Sequence, residues 1–174
     1  PLCWYNALDG RSNRPPEESI PENLKVMAWH GERDIPVEVN EAHHWSLREA
    51  PDVMAVVAAY LAALNAKNMG VKTYIAQYMF NTPYGTSYAQ DLAKMMAKRD
   101  LIESLEDSSF SVLRQVRTGL MSLSANMNVA KGQLASSISL ALNLDPHIVH
   151  VVGYSEANYA ATADVVIESC QIIH

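Results

Sequence analysis

The order of helical and strand-like segments constrains the fold of this chain more than any single motif does. Three runs rich in β-branched and apolar residues, near 35–39, 72–79 and 147–152, alternate with segments whose apolar residues recur at helical spacing. Strands that alternate with helices are typical of βαβ units, in which the strands run parallel and helices cover the sheet. The sequence therefore predicts an α/β fold, and more specifically part of a TIM-type (β/α) barrel.

Capping residues predict where the helices begin and end. Ser, Asp or Pro residues open most of the predicted helices, and Gly31, Gly70 and Asn143 mark the ends of three of them. The first three predicted helices run from a cap at Ser19 to Gly31, from Pro51-Asp52 to Gly70, and from Ser87 to about Leu105. After a break at Asp107–Ser109, a helix is predicted from Phe110 to Arg117, followed by a helical stretch that is broken near Asn126 and ends by Asn143. The last predicted helix is capped by Ser155 and runs from Ala157 to about Cys170.

Composition excludes several classes of protein. The chain has 174 residues, of which 49% are hydrophobic and 18% charged, as in a packed globular domain. Its net charge is -6 and it has no basic run, which argues against binding to nucleic acid. No apolar stretch reaches the roughly 18 residues that a membrane span needs, so we expect no membrane partner.

The ends and the two cysteines bear on what surrounds the chain. It begins at Pro1 without an initiator Met and ends at His174 without a polar tail, so we expect both ends to continue in a longer protein. Residues 1–174 are predicted to be a single fragment of a barrel catalytic domain. Cys3 and Cys170 show neither metal-ligand spacing nor a disulfide framework, which is typical of reduced thiols in a cytoplasmic protein.

Ligands of parallel α/β folds bind where the strands end, and this rule selects three loops. The first, Asn40–Trp45, contains a carboxylate and the pair His43-His44, and it offers acid/base capacity and stacking. Adjacent histidines cannot easily face one ion, and no HxH or HExxH spacing is present, so we expect no metal site. The alternative is that one histidine caps a helix while the other is solvated.

The second and third loops are Asn81–Ser87 and Gly153–Glu156. Gly85-Thr86-Ser87 enters a helix, where backbone N–H groups could bind an anion, although a plain helix cap is the simpler interpretation. Glu156 at a strand terminus could neutralise an amine or act as a base. It could equally be a first-turn glutamate that the helix dipole favours.

Arg114 and Arg117 lie three residues apart, and on the predicted helix they share a face. Two guanidinium groups so placed could clamp a carboxylate in bidentate geometry. The alternative is a solvated basic face.

The runs Met27–Gly31, Glu41–His44 and Arg48–Ala50 resemble the barrel subunit of the adenosylcobalamin- and pyridoxal-phosphate-dependent aminomutases, the family of D-ornithine 4,5-aminomutase and lysine 5,6-aminomutase. Further motifs follow in the family's order over nearly the whole chain. They are Trp4–Asn6, the loop Thr82-Pro83, the helix beginning Asp91–Ala93, the basic segment Phe110–Arg117 and the acidic Ser155-Glu156.

The resemblance implies specific roles for the cofactor site. Tyr5 would stack on the pyridine ring, and His43 would hydrogen-bond the phenolic oxygen of the cofactor, with His44 at the neighbouring polar position. Ser87 lies on the loop that could bind an anion, and we expect it to contact the cofactor as well. The pair His43-His44 departs from the His-Asn expected in the family, which leaves the use of pyridoxal phosphate open.

The resemblance also implies a reaction and its substrate contacts. Arg114 or Arg117 would grip the substrate carboxylate, and Glu156 would lie near its amino end and take part in catalysis with His43 and His44. The chain would then be part of an isomerase that moves a terminal amino group by a radical 1,2-shift on a pyridoxal-phosphate-bound basic amino acid.

The implied radical source is adenosylcobalamin, bound mainly by a domain outside this chain, because no DxHxxG motif is present. No lysine can be assigned as the family's Schiff-base residue. The expected partners are the amino acid and a cobalamin-binding domain or subunit, in an oligomer. The alternatives are another cobalamin-dependent mutase or barrel lyase without pyridoxal phosphate, and a non-catalytic partner of a cobalamin subunit.

Overall fold

The computed structural model describes residues 6–7, 10–40, 45–47, 49–83 and 85–174. Helices and strands alternate along these residues, with two single 3₁₀ turns at Leu120–Ser122 and Leu142–Leu144. The elements are α1 Pro16–Gly31, β1 Val37–Glu38, α2 Asp52–Asn68, β2 Thr73–Phe80, α3 Tyr88–Glu103, β3 Ser111–Thr118, α4 Met127–Ala141, β4 Ile148–His150 and α5 Ala163–Ile173.

The four strands form a parallel sheet in the order β1-β2-β3-β4, so each strand lies beside the next one along the chain. Val37 pairs with Tyr74 between β1 and β2, and Gln115 pairs with Ile148 between β3 and β4. The predicted α/β fold with helices between parallel strands is confirmed. All three predicted strands are present, although β1 and β4 are shorter than expected.

The chain divides into two compact units, one of residues 1–76 and 97–113 and one of residues 77–96 and 114–174. In the first unit, the rings of Tyr74 and Phe110 stack with centroids 6.0 Å apart, and both side chains are buried. Removing an aromatic side chain of this size from water contributes roughly 1.5–3 kcal/mol. In the second unit, apolar side chains of α4 pack with two residues that follow β4, Val152 and Tyr154.

The buried residues of helix α2 are all alanines. They are Ala55, Ala58, Ala59, Ala62, Ala63 and Ala66. Pro51 precedes the helix as predicted, and Gly70 follows it with φ of +80°, a left-handed conformation that glycine adopts at little cost. Gly31 lies so close to this turn that a Cβ atom there would be 2.7 Å from the carbonyl carbon of Gly70.

Helix α1 begins three residues before the predicted cap at Ser19. Pro15 has extended φ and ψ angles and Pro16 occupies the first helical position, which suits a residue without an N–H group. Ser19 is instead buried inside the helix, where its hydroxyl accepts a hydrogen bond from Asn6 Nδ2 at 3.1 Å. The predicted end at Gly31 is confirmed.

The predicted helix from Phe110 to Arg117 is wrong, because residues 111–118 form β3. Asp107 caps a tight turn, with its Oδ1 accepting hydrogen bonds from the Ser109 N–H at 2.7 Å and the Ser109 hydroxyl at 2.7 Å. Short apolar runs fit a helical or a strand period equally well. Here the strand satisfies its main chain within the sheet, beginning with the hydrogen bond from Ser111 N to Lys72 O at 2.8 Å.

The last helix begins later than predicted. Ser155 does not cap it, because its hydroxyl has no hydrogen-bond partner and the residues after it form a turn, in which the N–H groups of Asn158 and Tyr159 donate to the Ser155 carbonyl. Helix α5 starts at Ala163, with the Thr162 hydroxyl accepting a hydrogen bond from Val165 N at 3.4 Å. In the part of the chain that the structure describes, no helix is both long and apolar enough to cross a membrane.

Candidate functional site

The loop at the carboxyl end of β2 is held by buried charged side chains of α3. Asn81 follows the strand directly and has φ of 58°, a left-handed conformation that non-glycine residues adopt rarely. Its N–H group donates to Asp91 Oδ2 at 2.6 Å. The next peptide bond, between Thr82 and Pro83, is cis. A helix-borne carboxylate therefore holds the backbone of the loop at the point where the strand ends.

A second charge from α3 holds the same loop. Lys94 Nζ donates to the Thr82 carbonyl at 2.7 Å and lies 4.0 Å from Asp91 Oδ1. Asp91 is 3% exposed and Lys94 is 4% exposed. Buried charges are costly unless they are paired and hydrogen-bonded, and here each one binds a main-chain atom of the loop. The pair therefore fixes the path of the chain after β2.

The residue after β3, Gly119, approaches this loop closely because it has no side chain. The N–H of Gly119, the residue after β3, donates to the Phe80 carbonyl at 2.8 Å. A Cβ atom at Gly119 would overlap Thr82 Oγ1. Glycine is therefore needed here for close approach, and it seats Thr82 against the end of β3.

Beside the loop lies a cavity of about 230 Å³ between the start of α3 and α4. Its walls expose polar and apolar atoms about equally, with Asn81, Asp91 and Tyr88 on one side and Gln133, Ser136 and Ser137 of α4 on the other, besides Gly85, Thr86 and Leu140. Ser137 Oγ lies 2.5 Å from Thr118 Oγ1 in a buried hydroxyl pair, which ties α4 to the end of β3. The cavity is smaller than the roughly 300 Å³ at which small-molecule sites begin.

Ser87 opens α3 as predicted. Its hydroxyl accepts a hydrogen bond from Gln90 N at 3.3 Å, and the side chain is exposed. Thr86 Oγ1 donates to the Pro83 carbonyl at 2.9 Å, and Gly85 has φ of +83°. The loop thus leads into a capped helix N-terminus, a feature suited to an anion.

The end of β4 places Glu156 at the surface. Its Oε1 accepts a hydrogen bond from Gly153 N at 2.5 Å, so one carboxylate oxygen folds back onto its own loop. Ser155 is 5% exposed, and its Oγ has no hydrogen-bond partner. A Cβ atom at Gly153 would lie 2.9 Å from Glu156 Oε1, so glycine permits this arrangement.

A charged cluster anchors the same loop. Tyr154 donates its hydroxyl to Glu168 Oε2 at 2.6 Å, and Lys131 Nζ donates to Glu168 Oε1 at 2.5 Å. Hydrogen bonds from Lys131 and Tyr154 lower the pKa of the Glu168 carboxyl, and the bond to Glu168 raises the pKa of Tyr154. The hydroxyl of the fully buried Ser169 also accepts from Tyr154 N at 3.2 Å. Helices α4 and α5 therefore hold the residue next to Ser155.

Arg114 and Arg117 do not share a face, because on a strand residues three apart point to opposite sides of the sheet. Arg114 Nε donates to the Asp145 carbonyl at 2.8 Å, and its Nη2 lies 3.3 Å from Asp145 Oδ2. The predicted helical face that the two arginines were to share is therefore wrong, and the binding of a carboxylate by Arg114 or Arg117 stays a prediction. Arg117 lies one residue before the end of β3, in register with His150.

Three predicted site residues, Tyr5, His43 and His44, lie outside the described residues, as does Glu41. Asn40, the first residue of the loop after β1, has a buried Oδ1 without a hydrogen-bond partner. Among the residues that are described, no three His, Cys, Asp or Glu side chains are grouped so that they could hold a metal ion.

Sequence reasoning missed the Asp91–Lys94 pair and the Lys131–Glu168–Tyr154 cluster. Asp91 and Lys94 are three residues apart on a helix, a spacing that is usually assigned to a solvated surface pair. The available signal was the capped position of Ser87, which places Asp91 one turn into α3 and next to the preceding strand end. Lys131 and Glu168 are 37 residues apart, and no local pattern connects them.

No family model matches the chain, and no curated protein sequence matches it either.

Proposed function

We propose that this chain forms part of the TIM-type barrel of an adenosylcobalamin- and pyridoxal-phosphate-dependent aminomutase. The reaction is a radical 1,2-shift of a terminal amino group on a basic amino acid. The observation that carries the proposal is the sequential parallel order of β1 to β4, with constrained polar loops at the carboxyl ends of β2 and β4. The resemblance of the sequence to the aminomutases names the reaction.

The strand order supports a barrel because a (β/α) barrel adds each strand beside the preceding one. Open doubly wound sheets instead reverse the strand order at a switch point. Among the residues that the structure describes, the sheet contains no such reversal, and β1 and β4 each have one neighbour within it. Further strands of the same protein would continue the sheet from these two edges.

The described residues fit the phosphate end of pyridoxal phosphate through the chemistry of their donors. Ser87 and the N–H groups that open α3 would hold the phosphate, as helix N-termini do. Tyr5, His43 and His44 would hold the ring, as the resemblance implies. When bound, pyridoxal phosphate supplies a conjugated ring that delocalises an unpaired electron, and adenosylcobalamin supplies the initiating radical.

The residues of this chain would orient the substrate and exclude water. Ser155 offers a buried hydroxyl that lacks a hydrogen-bond partner, at a strand end beside Glu156. Glu156 keeps one carboxylate oxygen beyond the bond to Gly153 and would accept a hydrogen bond from the substrate amino group. Arg117 is the better candidate to bind the substrate carboxylate because it lies one residue before the carboxyl end of β3, where ligands of parallel α/β folds bind, whereas Arg114 lies in the middle of the strand.

The experiment that tests the proposal uses the full-length protein with its cobalamin-binding domain or subunit. Pyridoxal phosphate is added, and its visible absorbance band is followed with and without a basic amino acid. We expect saturable binding that shifts when the amino acid is added, and weaker binding or slower turnover in His43→Ala. If pyridoxal phosphate does not bind, the proposal fails and a cobalamin mutase or barrel lyase without pyridoxal phosphate becomes the better interpretation.

The two arginines provide a matched pair within this experiment. We expect Arg117→Ala to raise the KM for the amino acid about tenfold or more, which corresponds to the roughly 1.5–3 kcal/mol of a hydrogen bond to a charged group. Arg114→Ala should leave KM unchanged. It should lower the stability of the fold, because it removes the contacts of Arg114 with Asp145. Equal KM values for both variants and the wild type would remove Arg117 from the site.

A further inference from the structure

The two faces of the sheet at β3 and β4 have different surroundings. Val116 is fully buried, and the Thr118 hydroxyl lies 2.5 Å from Ser137 Oγ of α4. Val149 of β4 packs against the apolar cluster that includes side chains of α4. These strand residues therefore face the helices. Because successive residues of a strand point to opposite faces, their neighbours along β3 and β4 face the other way.

The face that is turned away from the helices carries polar side chains at its carboxyl edge. Gln115 of β3 pairs with Ile148 of β4, and Arg117 pairs with His150. Residues paired across parallel strands point to the same side of the sheet. His150 is the last residue of β4, and Arg117 is the last but one of β3. In a (β/α) barrel this side is the interior, and this edge is where ligands bind.

Arg117 and His150 are placed to contact the same small group. His150 is exposed, Arg117 is partly buried, and Gln115, two residues earlier on the same face, is 6% exposed. Neighbouring strands lie about 4.8 Å apart, so two long side chains in register can reach one ligand atom group. A guanidinium offers five N–H donors and no acceptor, and an imidazole offers at least one N–H donor. Two such donor groups side by side suit an oxyanion.

We propose that His150 binds the substrate carboxylate together with Arg117 and makes the site specific for ligands that carry this group. The identity of the ligand, a basic amino acid, rests on the proposed function. Arg117 supplies a permanent charge, and the His150 N–H donates to a carboxylate lone pair that the guanidinium leaves open. The chain has a net charge of -6, so its overall field repels a carboxylate and local donors must provide the attraction.

The test compares ligands that differ only in the carboxylate. Lysine with cadaverine, and ornithine with putrescine, are titrated calorimetrically into the full-length protein with its cobalamin-binding partner and pyridoxal phosphate. A site that hydrogen-bonds a substrate group discriminates against the analogue that lacks it. The wild type should bind one of the amino acids at least about 100-fold more tightly than its diamine, since two hydrogen bonds to a charged group contribute roughly tenfold each.

Removal of the imidazole should reduce this affinity ratio. His150→Ala is expected to lower it about tenfold, by the loss of one hydrogen bond to a charged group. His150→Gln keeps an N–H donor and should retain part of the ratio. Because damage to the fold would weaken both ligands of a pair alike, a change in the ratio reports contact with the carboxylate and not a structural role of His150.

His147→Ala is the matched control. His147 lies three residues before His150, so it points to the opposite face at the start of β4, and its Nδ1 accepts a hydrogen bond from Arg114 N at 3.0 Å. This variant should leave the ratio unchanged. An unchanged ratio in both His150 variants, or a wild type without preference for either amino acid, would overturn the proposal even if pyridoxal phosphate binds. If pyridoxal phosphate does not bind, the proposed reaction fails, and the same ratio measured without the cofactor decides on the carboxylate site.

Discussion

Two lysine–aspartate pairs in this chain have the same chemistry and opposite surroundings. Lys94 and Asp91 follow the carboxyl end of β2, with side chains that are 1% and 4% exposed. Lys67 and Asp107 lie near the amino ends of β2 and β3, with side chains that are 27% and 46% exposed and 2.6 Å between Lys67 Nζ and Asp107 Oδ2. The tighter ion pair is the more exposed one.

The difference shows what each pair contributes. An exposed pair adds little stability, since water and salt screen it. A buried pair must offset a large desolvation cost, and it does so only when further hydrogen bonds accompany it. Asp91 and Lys94 bind main-chain atoms of Asn81 and Thr82, so their burial specifies the loop at the carboxyl edge. The Lys67–Asp107 pair closes a surface turn.

The largest effect is expected when one member of the buried pair is removed. Lys94→Met keeps the length of the side chain but leaves the buried Asp91 carboxylate without the charge of Lys94. We expect a loss of about 3–5 kcal/mol in the free energy of unfolding, measured by urea denaturation. The control is Lys25→Met on the exposed side of α1, which should stay within about 0.5 kcal/mol of the wild type.

The double variant Asp91→Leu/Lys94→Met sharpens the comparison. Replacing both charges by apolar groups should recover much of the lost stability, since buried pairs are often dispensable for stability itself. The Asn81 N–H group then lacks its acceptor, so we expect faster hydrogen exchange at Asn81. A double variant as unstable as Lys94→Met alone would contradict the view that the pair serves the loop more than the fold.

Glycine contacts at the two ends of β2 give the next largest effects. Gly31→Ala would place a Cβ atom 2.7 Å from backbone atoms of Gly70, and backbone cannot rotate away. Overpacking of this kind costs about 1–3 kcal/mol, measured as a lower urea midpoint. Gly132→Ala is a control of opposite sign, because its Cβ meets nothing within 4 Å and alanine inside α4 should stabilise by about 0.4–1 kcal/mol.

At the carboxyl edge the corresponding clash involves a side chain and can be relieved. Gly119→Ala would collide with Thr82 Oγ1 and should cost about 1–2 kcal/mol. Adding Thr82→Ala removes that atom, so the double variant should be more stable than the sum of the single effects by at least about 0.5 kcal/mol. Strict additivity in denaturation experiments would show that Thr82 is not the residue that requires Gly119.

The smallest effect is expected at the exposed pair, and it depends on pH. Hydrogen bonds from Lys67 and Ser109 lower the pKa of Asp107 in the folded protein. Stabilisation from a lowered carboxyl pKa is present above the unfolded value of about 3.9 and is lost as the pH falls further. The difference in thermal midpoint between wild type and Asp107→Ala should therefore be constant near neutral pH and shrink below about pH 4. A difference that grows in acid would contradict this assignment.

Sequence alone predicted the elements whose signals are local. β2 was placed within one residue of its observed bounds, and the predicted break near Asn126 is confirmed, since α4 begins at Met127 with the Asn126 side chain as its cap. β3 was missed because its apolar residues fit two periods and only its neighbours in the sheet decide between them. The Asp91–Lys94 pair was missed for a related reason: burial of a charged residue depends on the tertiary structure and leaves no mark on spacing.

The candidate loops after β2 and β4 followed from the rule about strand ends, and their positions after these strands are confirmed. The clamp formed by Arg114 and Arg117 was argued from a helix at 110–117. The geometry of the two side chains could not be predicted correctly once that segment was taken as a helix and not as β3. The roles of Tyr5, His43, His44 and Glu156 remain predictions.

Burial of Asp91 and Lys94 determines how strongly dissolved salt can weaken their interaction. Dissolved ions attenuate interactions between exposed charges beyond about 8 Å at physiological ionic strength, but they cannot enter a site that excludes water. The loop at Asn81 should therefore keep one shape from dilute buffer to molar salt, while the turn at Asp107 loosens. A site that is set by charges and yet insensitive to salt can bind charged ligands without being deformed by the counterions they bring.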